Sequence, residues 1–225
     1  SLPFPVLMGP TASGKSALAI ACARAFHGEI ISADSMQVYR ELNIGTAKPS
    51  PEEQREIPHH LIDILDLQER FDLFSFRDRA EALIAEIRKR GKLPILAGGT
   101  GLYLRAVLYG LDNMPSDREL RKKLDAEFDH PEGFEKLKEL MRQRAPDDYA
   151  KSSMHRRRLI RSYEILLLTG KSMTELQKSW KRNPPRRDAV QFVLQWDREE
   201  LKRRIRLRCE EMLRAGWIEE TRRLR

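Results

Sequence analysis

The chain has 225 residues, 40% hydrophobic and 34% charged, which suits one globular domain, or one domain carrying an insertion, and excludes a disordered chain. No apolar run reaches the roughly 18–20 residues that span a bilayer, and Ser1-Leu2-Pro3-Phe4-Pro5 shows no basic segment ahead of an apolar one, so neither a membrane partner nor a secretory signal is expected. Two cysteines, Cys22 and Cys209, exclude a disulfide framework and a cysteine zinc site and point to the cytoplasm, while a net charge of +8 calls for a polyanionic partner.

Phe4–Met8 is a short apolar run that stops at a glycine-rich turn, the pattern of a buried strand. Ser16–Phe26 is rich in alanine and leucine at helical spacing, with Gly28 as its expected stop. Glu29–Ala33 reads as a second strand ending at Asp34, and His60–Ile64 as a short third. Phe74–Arg90 predicts a long helix with Ala80, Leu83, Ile84 and Ile87 on one face, closed by Gly91. Leu93–Ala97 is a further buried strand, followed by Gly98-Gly99-Thr100-Gly101 and a helix through Leu108. Alternation of strand and helix argues for a parallel sheet covered by helices.

After Gly110 the texture changes. Asp117–Ala145 and Met154–Trp180 read as helices with no strand between them, and Asn183-Pro184-Pro185-Arg186 breaks the chain. Val190–Leu194 returns to the sheet, and Asp197–Leu213 is helical with Asp197 as N-cap. The expected architecture is an α/β core over 1–111 and 189–225, interrupted by a helical insertion at 112–188. The charge is not uniform along the chain. Lys151–Arg187 holds 11 basic and 2 acidic residues, +9, whereas Ser1–Ala150 holds 21 basic and 24 acidic, −3. A basic helical segment is either a nucleic-acid grip or a solvated face. The chain stops at Arg225 within a helical pattern that nothing caps, so further residues are expected in the natural protein.

Gly9-Pro10-Thr11-Ala12-Ser13-Gly14-Lys15-Ser16 matches G-x-x-x-x-G-K-[ST] between a strand and a helix. The glycines let backbone N–H groups curl around phosphate oxygens, and the helix N-terminus adds orphan donors and partial positive charge. Lys15 contributes a full charge, and the Ser16 hydroxyl suits Mg²⁺, which keeps several waters and bridges substrate phosphates. A di- or triphosphate ligand follows. The reaction does not, because hydrolases, kinases and transferases of diphosphate-bearing groups could all use such a loop.

Asp34 lies at a strand's C-terminal end, where ligand crevices of parallel sheets form. It fits a Mg²⁺- or water-positioning carboxylate, a general base, or a plain helix cap. Thr100, after another strand, borders the same crevice. Asp63 could pass for the acidic end of a phosphate-site strand. His59 and His60 are adjacent, so their rings diverge and a structural role is expected. Arg204 with Arg208, and Arg158 with Arg161, are spaced to share a helix face; such pairs either clamp phosphates or sit in solvent, and the surface reading is the ordinary one.

In combination, GPTASGKSALAIA, then ISADSMQVYRELNIGTAKP from Ile31 to Pro49, PHHLIDI from Pro58 and GKLPILAGGTGLYLRAVL from Gly91 resemble the tRNA dimethylallyltransferase family. The resemblance continues through Arg158–Ile165, Leu168–Lys171 and Asp197–Leu213. It implies a P-loop NTPase-like parallel sheet flanked by helices, with a helical insertion domain. It implies transfer of a dimethylallyl group from dimethylallyl diphosphate to N6 of the adenosine 3′ to the anticodon, with Mg²⁺ and the tRNA anticodon stem–loop as partners and a cytoplasmic monomer as the working form. By the same resemblance the P-loop and Arg208 hold diphosphate, Asp34 takes the N6 proton, and Thr100 positions a substrate. Asp34, Ser35, Met36, Gln37, Thr100, Arg121 and the run Arg158, Leu159, Ile160, Arg161 and Ser162 face tRNA. The chain departs from the family at Ser152-Ser153-Met154-His155, where His-Pro-Asn-Asp is common, and the family extends past Arg225. A transferase acting on free adenine nucleotides, a small-molecule P-loop kinase and a non-enzymatic RNA-binding protein with a vestigial phosphate loop are the competing readings.

Overall fold

The computed structural model describes residues 3–110, 114–180 and 183–225. The chain divides into two compact units, Ser1–Tyr109 with Pro185–Arg225, and Gly110–Pro184. Unit 1 contains strands β1 (Phe4–Met8), β2 (Gly28–Ser32), β3 (His59–His60), β4 (Leu93–Gly98) and β5 (Ala189–Val193). Its helices are α1 (Lys15–Phe26), α2 (Pro51–Glu56), α3 (Leu73–Lys89), α4 (Gly101–Tyr109), and, after the helices of unit 2, α10 (Arg198–Arg214) and α11 (Trp217–Arg223).

All strand pairs are parallel, in the order β3-β2-β4-β1-β5. Side chains alternate between the two faces of a strand, and the sequence exploits this. Phe4, Val6, Ile31 and Leu96 pack with Phe76, Ala80, Ile84, Leu104 and Val107 of α3 and α4. Leu7, Ile30 and Ile95 point the other way, against Ala19, Ile20 and Ala23 of α1. Because the strands run one way, the segments after β1, β2, β4 and β5 all emerge at one edge of the sheet.

Local chemistry explains where the elements differ from expectation. Gly28 does not stop α1. His27 does, in a left-handed conformation at φ 50°, and Gly28 is a buried strand residue where an added Cβ would lie 2.8 Å from Ile95 and 2.9 Å from Leu93 O. The strand expected at His60–Ile64 is instead His59–His60, because Leu61 and Asp63 adopt φ 61° and 54° and turn the chain out of the sheet. β5 is one of the two edge strands, with Phe192 and Val193 exposed. Asp197 caps α10 as expected, accepting from Glu199 N and Glu200 N.

Unit 2 is built from α5 (Arg118–Phe128), α6 (Pro131–Arg144), α7 (Pro146–Ser152), α8 (Arg156–Thr169) and α9 (Met173–Trp180). The long helix expected over Asp117–Ala145 is two helices. His130 caps the second through Nδ1, Pro131 opens it, and Gly133 packs so closely on Glu127 O that no side chain fits. The segment Met154–Trp180 is likewise split, at left-handed Gly170. Leu124, Phe128, Leu137, Met141, Leu159 and Ile160 form one core. Buried Asp148 accepts from Met173 N, Thr174 N and Thr174 Oγ1, so a side chain of α7 caps α9. Residues 185–188 belong with the sheet rather than with the helices. Arg186 N donates to Leu108 O, and its guanidinium pairs with Glu81 and Asp188. Among the described residues no helix is long and apolar enough to cross a membrane.

At the start of β2, Glu29 is buried and meets His60, Arg90 and Lys92 at 2.6, 2.7 and 3.0 Å. Burial pushes its carboxyl up, but these partners more than offset that and hold it at about 2, below the ordinary 4.5. The cluster therefore supports folding fully above pH 4.5 and loses that contribution as pH falls toward 2. Urea denaturation measured from pH 6 to pH 3 should show wild-type stability falling with acid, and the slope should flatten in Glu29→Gln.

Candidate active site

The turn after β1 is bound to itself and to α10. Ala12 sits at φ 59° and Gly14 at φ 92°, the conformations that curl the loop. A Cβ on Gly9 would lie 2.9 Å from both Leu194 O and Ser13 Oγ. Trp196 Nε1, beyond β5, donates to Ser13 O at 2.9 Å, and Arg204 Nε of α10 donates to Ala12 O at 2.8 Å. The Arg204 guanidinium also stacks over the Trp196 ring at 4.3 Å. The loop's carbonyls are thus tied down from outside.

Lys15 Nζ donates to Pro10 O at 2.6 Å and to Ser13 Oγ at 3.4 Å, which leaves one of its three hydrogens for a ligand. Burial lowers its pKa, Arg208 adds to the effect, and Asp34 opposes it. Two cations and one carboxylate therefore act on one another at the mouth of the loop. An anionic ligand would relieve the repulsion between the cations.

Asp34 follows β2. Its Oδ1 accepts from Met36 N at 2.8 Å and Gln37 N at 3.3 Å, the side-chain turn expected of an aspartate cap. Oδ2 has no hydrogen-bond partner among the described residues. No helix follows Asp34 directly, so the helix-cap reading gives way to a side-chain turn made by one carboxylate oxygen, and the other is left unbonded. Thr100, after β4, donates its N–H to Ala33 O at 3.1 Å, and its Oγ1 accepts from Ser35 N at 3.1 Å. This is possible because Gly98 has no side chain: a Cβ there would overlap Ala33 O. Buried Gln37 accepts from Ser32 Oγ and donates Nε2 to Thr46 O and Ala47 O.

Lys15, Ser16, Asp34, Thr100 and Arg208 all line one cleft of about 820 Å³ in unit 1. Among the described residues no cluster of three or more His, Cys, Asp or Glu side chains is arranged to hold a metal. The Ser16 hydroxyl lacks a hydrogen-bond partner among them and lines the same cleft as Asp34. Such a sparse, hard-oxygen set fits Mg²⁺ held mainly by substrate phosphates, and does not fit a metal caged by protein alone.

Several residues singled out in the sequence turn out to be occupied elsewhere. Asp63 pairs with Lys48 Nζ at 2.5 Å instead of facing the phosphate loop. His59 Nδ1 bonds Ile57 O, and His60 bonds Glu29, so the adjacent rings do diverge. In unit 2, Arg121 and Arg161 both bind buried Glu164, whose Oε1 also accepts from Asp117 N. Leu159 and Ile160 are fully buried and Ser162 nearly so, so these three side chains build the core and offer nothing to an outside ligand. Of the run from Arg158 to Ser162, the one exposed residue is Arg158. His155 stands at the N-cap of α8 without a capping bond, as the altered Ser152–His155 stretch foreshadows. Arg204, in contrast, is partly buried and holds the phosphate loop. Its spacing from Arg208 does not reveal this role, which comes only from the fold of α10 against the loop.

Residues 37–225 match the family model described as IPP transferase. The chain belongs to the IPP transferase family. Among curated relatives, this family member is 46% identical over 221 residues to tRNA dimethylallyltransferase 1 of Citrifermentans bemidjiense, covering 96% of the chain and 70% of that protein. It is 44% identical over 218 residues to tRNA dimethylallyltransferase of Heliobacterium modesticaldum, covering 96% and 68%. Among solved structures, the tRNA isopentenylpyrophosphate transferase of Staphylococcus epidermidis superposes with a TM-score of 0.64 at 38% identity, over 99% of this chain and 73% of that one. A eukaryotic dimethylallyltransferase acting on tRNA gives a TM-score of 0.75 at 30% identity, over 100% and 56%. This IPP transferase thus shares both sequence and fold with enzymes of tRNA prenylation.

Gly98→Ala should cost this IPP transferase about 3 kcal/mol or more, the upper range for overpacking a filled site, because a backbone carbonyl blocks the new methyl. Urea denaturation would measure the loss, and Gly99→Ala, where an added Cβ meets nothing within 4 Å, is the matched control.

Proposed function

We propose that the protein transfers a dimethylallyl group from dimethylallyl diphosphate to N6 of the adenosine 3′ to the anticodon of tRNA, giving N6-dimethylallyladenosine. The observation that carries this reading is the meeting, in one cleft, of a phosphate loop with Lys15 and Arg208 and of Asp34, which keeps one carboxylate oxygen unbonded. The family relationship supports the same reading, since the relatives are tRNA prenyl-transferring enzymes by name.

In this mechanism the loop amides of residues 9–16 and the Lys15 ammonium bind the diphosphate of the donor. The N6 lone pair forms a bond to the allylic carbon, and the bond from that carbon to the diphosphate oxygen breaks with its electron pair. Lys15 and Arg208 stabilise the charge that builds on the leaving diphosphate. Asp34 Oδ2 accepts the proton that N6 loses. The exocyclic amine is a weak nucleophile because its lone pair is conjugated into the ring, so a base at this point is worth about 10²–10⁴ in rate. Thr100 fixes Ser35 and hence the segment bearing Asp34. Ser16 would hold Mg²⁺ with the donor phosphates, and the ion would supply further charge neutralisation to the diphosphate.

The basic unit 2 serves as the grip on the anticodon stem–loop in this proposal. Arg157 and Arg158, exposed on the first turn of α8, make no ion pair among the described residues and suit RNA phosphates. The target base must leave its stack to be reached, and the energy of that step comes from contacts elsewhere on the RNA.

Labelled dimethylallyl diphosphate with Mg²⁺, offered to unmodified tRNA beside AMP while ATP hydrolysis is followed, tests the reading. Label on tRNA alone is expected. Label on AMP would move the protein to the free-nucleotide reaction, and ATP turnover without label on either acceptor would overturn prenyl transfer. Asp34→Ala should lower kcat by about 10²–10⁴ while sparing tRNA affinity. Arg158→Ala should weaken tRNA binding and reduce the slope of log K against log salt by about 1, read by filter binding across a salt series.

A further inference from the structure

The loop between Glu41 and Lys48 lies against α11, and the contact is of an unusual kind. Three consecutive backbone amides, those of Asn43, Ile44 and Gly45, converge on the Glu220 carboxylate: Asn43 N and Ile44 N reach Oε2 at 3.0 and 2.8 Å, and Gly45 N reaches Oε1 at 3.0 Å. Successive amides turned to one side form a nest for an anion, and here the anion is the protein's own. Glu220 is 3% exposed. Burial pushes its carboxyl up, and the amides, with Arg223, more than offset this, so it stays below its ordinary value. Trp217, one turn earlier on α11, closes over Gly45 so tightly that an added Cβ there would overlap the indole nitrogen.

The next two residues of the loop lead to the site. Thr46 O and Ala47 O accept both hydrogens of Gln37 Nε2 at 3.1 and 3.3 Å. Gln37 N in turn donates to Asp34 Oδ1. Hydrogen bonds joined by the covalent chain at residues 45–47 and within Gln37 therefore link the α11 carboxylate to the group proposed as the base.

We infer that Glu220 is a positioning residue for prenyl transfer, acting through the 43–47 loop and Gln37 to fix Asp34, and that α11 is thereby a working part of the acceptor side of the site. This rests on the proposed function, with Asp34 as base. Glu220 touches no substrate in this account. Its removal should disturb proton acceptance without loosening the phosphate loop, which is held separately by Trp196 and Arg204.

The test compares steady-state kinetics of wild type, Glu220→Gln and Glu219→Gln on labelled dimethylallyl diphosphate and tRNA, with folding checked by circular dichroism and thermal melting. Glu219 is exposed, lies on the same helix, and makes the same charge change, so it should behave as wild type. Glu220→Gln presents an amide N–H₂ to backbone donors and should lower kcat about tenfold to a hundredfold, the scale of a small misplacement of a reacting group. The KM for dimethylallyl diphosphate should stay within about twofold. Hydrogen exchange at the amides of Asn43, Ile44 and Gly45 should quicken in the same variant. Should Glu220→Gln fail to fold, Glu220→Asp keeps the charge with a shorter reach and should show the same split on a smaller scale. Wild-type kcat in the folded variant would overturn the inference, as would a fall in kcat matched by an equal rise in donor KM. Wild type itself is assayed first: no label on tRNA there would defeat the proposed function, whereas label on tRNA with an unaltered variant would defeat this inference alone.

Discussion

The backbones after β2 and at the end of β4 touch at Gly98 and Ala33, with no side chain between them. Parallel strands already deliver their C-terminal ends to one edge, but the ordinary spacing would leave the two connecting segments apart. The missing side chain lets Thr100 N reach Ala33 O and Thr100 Oγ1 reach Ser35 N, which locks the turn that carries Asp34. The phosphate loop after β1 and the Trp196 segment after β5 complete the same edge. The site is a property of sheet polarity, and its tolerance to change is set by a single contact too close for a methyl group.

Three buried glutamates show two ways of keeping a carboxylate charged away from water. Glu29 is surrounded by His60, Arg90 and Lys92 at one end of β2. Glu164 gathers Arg121 and Arg161 in the helical unit. Glu220 has backbone amides in place of side-chain cations. An ion pair can be replaced by apolar packing with little loss, but a nest of amides has no such substitute, because the loop's donors would remain and would be left unsatisfied. The amide-held carboxylate is therefore the one whose position is tied to the path of the backbone.

Much of this was legible in the sequence, and the reasons differ element by element. The phosphate loop could be read because glycine spacing, lysine and hydroxyl are local requirements of one turn. The strands β1, β2 and β4 could be read because burial on both faces leaves a run of apolar residues. The break at Asp129–His130 is missed by apolar periodicity, which continues from α5 into α6, although Pro131 at the start of α6 and Gly133, packed on Glu127 O, mark it. Arg161 looks like an RNA ligand in a basic segment, and Arg121 by the family resemblance. Glu164, the acidic residue that claims both, comes three residues after Arg161 but more than forty after Arg121. Arg204 was equally opaque, because a latch onto a carbonyl at Ala12 has no sequence signature.

β5 pairs with β1 from opposite ends of the chain, Phe4 against Ala189, with the whole helical unit in between. Contacts so distant in sequence close late, after the entropy of the intervening chain has been reduced by local folding. The helices of unit 2, built from near-neighbour contacts, can form beforehand and shorten that loop. Trp196 and Arg204 come after β5, so they reach the phosphate loop only once this last strand has docked. The two outer ties of the phosphate loop, Trp196 to Ser13 O and Arg204 to Ala12 O, therefore depend on a strand pairing that spans most of the chain.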